Sequence, residues 1–332
     1  MKLNSPGYFF VTDDILKVNM LQYFKTPEDG NPSPLRQHFP PIDLTMLCCH
    51  FWWLKDWRHS CLAFPYWRLY WNPVAGGRVI LENATYELTP DSLILIPPNT
   101  PFSTQLNTEG DFDSAFYRDH LQGGPARGLK HVKKGGGSDI IYHFFVHFTA
   151  GSPYDDIEPQ IFHFGINKQS EHLLTESLWE WDDNSPNLSH RKGFLLTALI
   201  SGLLGQIPDS AWPAAPDDQR VRRAIKIIDN NLSAAHRNRD LAASANMSPN
   251  AFARLFKNKI GWSPQKYLLK RRIQKVCLML HHTDKTIDQI AVECGFCDRH
   301  YLSRIFKREI KIPPAAYRAL HHSALAERPL TP

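Results

Sequence analysis

Cysteine is scarce, six in 332 residues, and its scatter over Cys48, Cys49, Cys61, Cys277, Cys294 and Cys297 offers no framework of disulfide bridges. Cys294 and Cys297 lack the second pair that a structural zinc site needs. Reduced thiols in a cytoplasmic protein are expected. Long apolar runs are also missing. The longest, Gly193 to Ile207, contains Thr197, Ser201 and glycines and falls short of the ~20 residues of a membrane span, so no membrane partner is expected. The opening MKLNSPGYFFVTDDILKV has Asp13 and Asp14 inside its short apolar patch, which argues against a signal peptide or an anchor. Neither sign of charge dominates overall, with 38 Lys and Arg against 33 Asp and Glu. The distribution is uneven, however. Residues 217–322 hold 21 basic and 9 acidic side chains, whereas residues 1–216 hold 16 and 23. A basic module joined to a mildly acidic larger part points to a polyanionic partner for the module, most often nucleic acid. Hydrophobic residues at 42% and charged residues at 21% exclude collagen-like, coiled-coil and disordered classes.

From Leu44 to His163 the apolar runs are short and the turns dense. Strands are predicted at 66–71 (YWRLYW), 78–82 (RVILE), 85–88 (TYEL), 92–98 (SLILIPP), 140–148 (IIYHFFVHF) and 160–164 (QIFHF), with a turn at Asn83 among the connections. Such a series favours an all-β antiparallel barrel of the jelly-roll type. Gly123, Gly124, Pro125 and Gly135 to Gly137 predict an exposed, mobile insertion over 118–138. Near Asn167 the period becomes helical, through Leu173, Leu174, Leu178 and Trp181. After a turn at 185–187, a second helix carries Leu195, Leu196, Leu199, Leu203 and Leu204. Three prolines in PDSAWPAAP mark a linker at 208–216, and an all-α segment follows.

That segment contains a repeat. Leu241, Ala242, Ala245 and Asn246 match Ile290, Ala291, Cys294 and Gly295. After a one-residue slip, Phe252, Arg254, Leu255, Phe256, Lys257, Pro264 and Tyr267 match Leu302, Arg304, Ile305, Phe306, Lys307, Pro314 and Tyr317. Each copy reads as a helix, a tight turn and a second helix. Asn246 and Gly295 stand where the chain needs positive φ. Ser248 with Pro249, and Asp298, supply the caps of the second helices, and the small Ala242 and Ala291 permit close helix crossing. Once Phe252, Leu255 and Phe256 are assigned to one core and Leu302, Ile305 and Phe306 to the other, an outer face remains. In the first copy it carries Asn250, Ala253, Arg254 and Lys257. In the second it carries Arg299, His300, Ser303, Arg304 and Lys307. These side-chain types suit base edges and phosphates. Between the copies, Pro264 to Leu280 forms a spacer helix lined by Leu269, Ile273, Val276 and Leu280. It is long enough to hold the two recognition helices roughly 34 Å apart, one turn of duplex DNA.

LAASANMSPNAFARLFKNKIGWSPQKYL, the spacer, and IDQIAVECGFCDRHYLSRIFKREIKIPPAAYR together resemble the AraC/XylS family of transcriptional regulators. Over Arg68 to Phe102 and YHFFVHFTAG the chain is similar to the cupin-type sensor domain of such proteins, with Asp91 at a turn position where the family commonly has glycine. The resemblance implies a cupin-like sensor and effector-binding domain at 1–165, a helical dimerisation segment at 166–207, and a DNA-binding domain with two helix-turn-helix units at 217–322. It further implies a cytoplasmic, ligand-responsive homodimer acting on double-stranded promoter DNA and RNA polymerase, more often as an activator, with sugar or other carbon-source genes as expected targets. Two departures stand out. Lys311 replaces the family's usual glycine after the last recognition helix, so a different helix exit is expected there. Ala253 is small where relatives often reach a base, so the first unit is expected to read fewer bases.

For the effector, a sugar or aromatic compound, the candidates are Trp53, Trp67, Tyr70, His143 and His147, since aromatic faces stack on such ligands. His143 and His147 share a strand face, but the glutamate-bearing pattern of metal-binding cupins is absent. No metal, cofactor or catalytic residue is assigned. Two other readings remain open: a metal-dependent cupin enzyme with an appended DNA-binding module, and a regulator whose barrel answers to a protein partner. Arg272 is expected to tie the spacer helix to an acidic neighbour.

Overall fold

The computed structural model describes residues 42–82, 84–106, 120–132, 140–182, 188–213 and 216–322. The turns expected at Asn83 and 185–187, both ends of the expected insertion (118–119 and 133–138), two residues of the linker and the first 41 residues of the expected sensor domain lie outside them.

The strands are β1 (Thr45–Leu62), β2 (Trp67–Trp71), β3 (Arg78–Leu81), β4 (Ala84–Glu87), β5 (Ser92–Ile96), β6 (Phe102–Gln105), β7 (His120–Pro125), β8 (Ile141–Thr149) and β9 (Phe162–Gly165). They form one antiparallel sheet in the order β4-β3-β6-β1-β8-β2-β5-β9, with β7 paired to β1. The period of two in side-chain direction gives it two buried faces. Trp67, Leu69, Trp71, Leu93, Leu95, Phe144, Val146 and Phe148 face outward into a core shared with helices α1 (Lys168–Leu178) and α2 (His190–Leu204). Tyr70, Ile94 and Ile96 face inward with Leu54, Trp57, Val79 and Phe102. The sheet curls until Tyr86 on β4 lies 6.2 Å from His163 on β9. The result is a nearly closed, cupin-like barrel.

The six expected strands are present, and three more join them. β1 carries Lys55, Asp56, Arg58 and His59, which disguise an eighteen-residue strand that contains no turn signal. β7 corrects the expected insertion, because Gly123 and Gly124 belong to a strand pressed on β1. A Cβ on Gly123 would collide with the Trp53 carbonyl oxygen, and one on Gly124 would stand 3.3 Å from the Trp53 indole nitrogen. Here glycine serves close approach rather than mobility. The apolar stripe of α2 also differs from its expected dimerising role. Leu196, Leu199, Ile200, Leu203 and Leu204 are buried in the core against their own barrel, while Phe194 is 74% exposed.

The helical part comprises α3 (Gln219–Asn230), α4 (Asn238–Ser244), α5 (Pro249–Ile260), α6 (Pro264–His282), α7 (Ile287–Glu293), α8 (Arg299–Ile310) and α9 (Pro314–His322). It has two cores. Val221, Ala224 and Ile228 of α3, Leu241 and Ala242 of α4, and Phe252 and Phe256 of α5 surround Tyr267 and Leu268 of α6. Ile273, Val276 and Leu280 of the same α6 join Ile290, Leu302, Ile305, Phe306 and Tyr317 in the other. Each fully buried large apolar side chain contributes ~1.5–3 kcal/mol, so one helix is pinned along its whole length into both units. α6 also touches the barrel. Leu278 packs on the inward-facing cluster, Lys270 lies 3.8 Å from Asp156, and the Tyr267 and Ser152 hydroxyls are 3.4 Å apart.

Candidate nucleic-acid interface

In the first unit Asn246 adopts φ 52°, and the Met247 N–H donates to the Ala242 carbonyl at 3.0 Å, closing the turn from α4 to α5. Ser248 accepts from the Ala251 N–H with Pro249 beside it, which satisfies a donor at the helix start. In the second unit Gly295 adopts φ 75°, and the Phe296 N–H donates to the Ala291 carbonyl at 2.8 Å. Asp298 accepts from the Tyr301 N–H at 2.7 Å, and that bond holds its carboxyl below the usual carboxylate range. Ala242 and Ala291 are wholly buried at the crossings.

The faces opposite these cores carry the expected residues. Asn250, Arg254 and Lys257 on α5 and Arg299, His300, Arg304 and Lys307 on α8 are exposed, and Ala253 and Ser303 are half-buried. Spacings of three and four place 250, 253, 254 and 257 on one stripe, and 300, 303, 304 and 307 on the other. Arg254 and Arg304 occupy equivalent positions, each midway between two fully buried residues: Phe252 and Phe256, and Leu302 and Phe306. Arg299 lies 3.7 Å from the Asp288 carboxylate, so a DNA phosphate would compete with that exposed pair.

One residue of this face escaped the sequence reading. Tyr301 is 39% exposed, and the Arg304 guanidinium lies 5.3 Å from its ring centroid, which orients the arginine. An aromatic three residues before an unburied arginine was the available signal.

Two expectations are corrected. Lys311 adopts φ 75°, close to the φ 83° of Gly261, and its N–H donates to the Lys307 carbonyl just as that of Gly261 does to Lys257. The helix exits therefore match, although a non-glycine residue in this region costs ~1–2 kcal/mol. Arg272 is structural, but its partners are carbonyls. Its guanidinium donates to Leu232 at 2.7 Å, Ala234 at 2.9 Å and Gly295 at 2.8 Å. It thus fastens the chain before the first unit to the turn of the second. The acidic neighbour, Asp229, binds Arg271 at 3.0 Å and the Tyr267 hydroxyl at 3.0 Å.

The effector candidates divide among three places, with Tyr70 and His143 in ring contact at 4.8 Å and Trp53 and Trp67 elsewhere. Trp67 is fully buried on the outward face, donating to Asp155 at 3.0 Å. Trp53 lines a groove of about 460 Å³ with Arg127, His131 and Tyr142. Tyr70, His143 and His147 point into the barrel. There Tyr70 accepts from Arg68 at 2.6 Å, and His143 contacts Asn72 at 2.8 Å. Burial, and then the charge of Arg68, push the His143 imidazole down to about 3, so it is neutral.

Two basic recognition helices, each presented by a helix-turn-helix unit and both fixed to one spacer helix, define a bipartite DNA-binding module. A family model described as a helix-turn-helix domain matches residues 241–320. The chain is 29% identical over 138 residues to the uncharacterized HTH-type transcriptional regulator YijO of Escherichia coli K12, covering 40% of this chain and 49% of that one. It is 30% identical over 155 residues to the HTH-type transcriptional activator RhaS of Mannheimia succiniciproducens, covering 46% and 57%. The chain thus spans about half the length of the curated relatives it matches. Among solved structures, ToxT from Vibrio cholerae aligns at 13% identity and a TM-score of 0.44, over 82% of this chain and 98% of that one. Over residues 241–320 the chain carries a helix-turn-helix domain, and it is similar in part to curated HTH-type transcriptional regulators.

Proposed function

We propose that the chain is a sequence-specific regulator of transcription whose module reads two successive major-groove segments of promoter DNA. The observation that carries this reading is the pair of exposed stripes at equivalent positions of two units sharing α6. An excess of 21 basic over 9 acidic residues in 217–322 supports it, since phosphate neutralisation supplies most non-specific affinity. Arg254 and Arg304 are assigned to base edges, Lys257 and Lys307 to phosphates.

The barrel is the sensor in this reading, and the effector is a small sugar or aromatic compound. The Trp53 and Tyr142 groove is the preferred seat because it offers ring faces for stacking with Arg127 beside them. Contacts from β-barrel residues Ser152 and Asp156 to Tyr267 and Lys270 of α6 give a ligand a route to the recognition helices. A ligand bound unequally by two arrangements of α6 would shift their populations. The protein acts in the cytoplasm as a homodimer that recruits RNA polymerase, with the exposed Phe194 face of α2 as the pairing surface.

Duplex binding by fluorescence anisotropy at graded salt tests this. Affinity should fall steeply and linearly on a log–log plot, by ~0.9 of a decade per decade of salt for each phosphate neutralised, and should differ among sequences. A flat salt response with no sequence preference would overturn the reading.

A further inference from the structure

Three side chains from distant parts of the chain meet where the C-terminal end of α6 lies on the barrel. Cys48 stands on β1, His147 on β8, and His282 is the last residue of α6. The Cys48 sulfur and His147 Nδ1 are 3.1 Å apart, and the ligand atoms of all three lie within 4.8 Å of one another. Cys48 and His147 are direct partners across the β1–β8 ladder, so strand register holds them together. The His282 ring centroid is 5.4 Å from that of His147.

We infer that Cys48, His147 and His282 form a binding site for a zinc-class transition-metal ion that joins the barrel to the end of the spacer helix. One sulfur and two imidazoles suit zinc and its softer neighbours, and do not suit magnesium or calcium, which take oxygen donors. Bond lengths of 2.0–2.3 Å place the ligand atoms of a tetrahedral site about 3.5 Å apart. The present spread is wider than that, so coordination by all three requires side-chain rotation at Cys48 and His282, both half-buried. A thiol bonded to an imidazole for packing alone would involve only Cys48 and His147. The third donor, supplied by the DNA-binding module, turns the pair into a coordination set.

The sequence reading weighed a metal at His143 and His147 and assigned none, because the glutamate-bearing pattern of metal-binding cupins is absent; in the structure His143 turns to Asn72. Cys48, 99 residues from His147, is brought in only by the fold. With metal bound, the end of α6 would be tied to the barrel, which makes the ion a clamp on the element that spaces the recognition helices. Metal binding itself is independent of the DNA-binding proposal.

Cobalt(II), a coloured stand-in for zinc, tests the site in the metal-free full chain without DNA. One equivalent should bind with a thiolate-to-cobalt absorption in the near ultraviolet, be displaced by zinc, and resist excess magnesium. Cys48→Ser should abolish that absorption, while Cys297→Ser, at an exposed cysteine, should leave it intact. His282→Asn should weaken cobalt binding at least about 10-fold, the loss that even outer partners of a metal cause. Absence of the absorption from the native chain overturns the site, as does its survival in Cys48→Ser or its loss in Cys297→Ser. Should Cys48→Ser fail to fold, the native spectrum and His282→Asn decide, and unweakened binding by the latter is contrary.

Discussion

The two helix-turn-helix units solve the same backbone problem with glycine in opposite places. The first uses Asn246 in its turn and Gly261 at its helix exit; the second uses Gly295 in its turn and Lys311 at its exit. All four residues have positive φ. Surroundings decide which must be glycine. A Cβ at Gly295 would stand 2.6 Å from the Ser233 carbonyl oxygen and 2.7 Å from the Arg272 guanidinium, whereas Asn246 is exposed. The second turn carries the clamp that holds the units together; the first carries none of that load. Capping differs too. Thr286 and Gln289 form a reciprocal capping box on α7, while Arg237 caps α4 with no side-chain bond.

This contrast orders the expected effects. Gly295→Ala should cost ~3 kcal/mol, combining left-handed strain with a clash against the clamp. Asn246→Ala should cost only ~1 kcal/mol from strain, and equal losses in chemical denaturation would break the comparison. Next comes Arg304→Ala, expected to weaken binding to a cognate duplex by ~1–3 kcal/mol and to relax specificity at one position. Arg254→Ala should relax it less, because Ala253 offers no hydrogen bond beside it; anisotropy against single-base variants measures both. Thr286→Ala should then lose ~1 kcal/mol with its capping box, and Arg237→Ser should gain up to ~1 kcal/mol. Their melting temperatures should move in opposite directions. Last and smallest, Lys311→Gly should stabilise the chain by about 0.5 kcal/mol, the relieved strain being partly offset by greater freedom of the unfolded chain.

Local chemistry was legible from sequence. Asn246, Ser248, Pro249, Gly295 and Asp298 announced their turns and caps because those depend on neighbours a few residues away. The alternating residues of β2, β5 and β8 were legible for the same reason. What escaped depends on distant partners. β1 was hidden because its charged residues make sense only once its neighbours are known. Gly123 and Gly124 looked like a loop because the Trp53 backbone they accommodate lies far away in sequence. Arg272 was rightly taken as structural, but its carbonyl partners are loop atoms that no residue type advertises. The apolar stripe of α2 could have faced a second chain or its own barrel, and periodicity is the same in both cases.

The most direct test of the duplicated reader is a hydroxyl-radical footprint of the full chain on its promoter duplex, with Arg254→Ala and Arg304→Ala compared at equal occupancy. Two protected segments about one helical turn apart on one face are expected, each arginine variant weakening protection chiefly in one of them. A single protected segment, or identical loss across both segments in the two variants, would contradict the account.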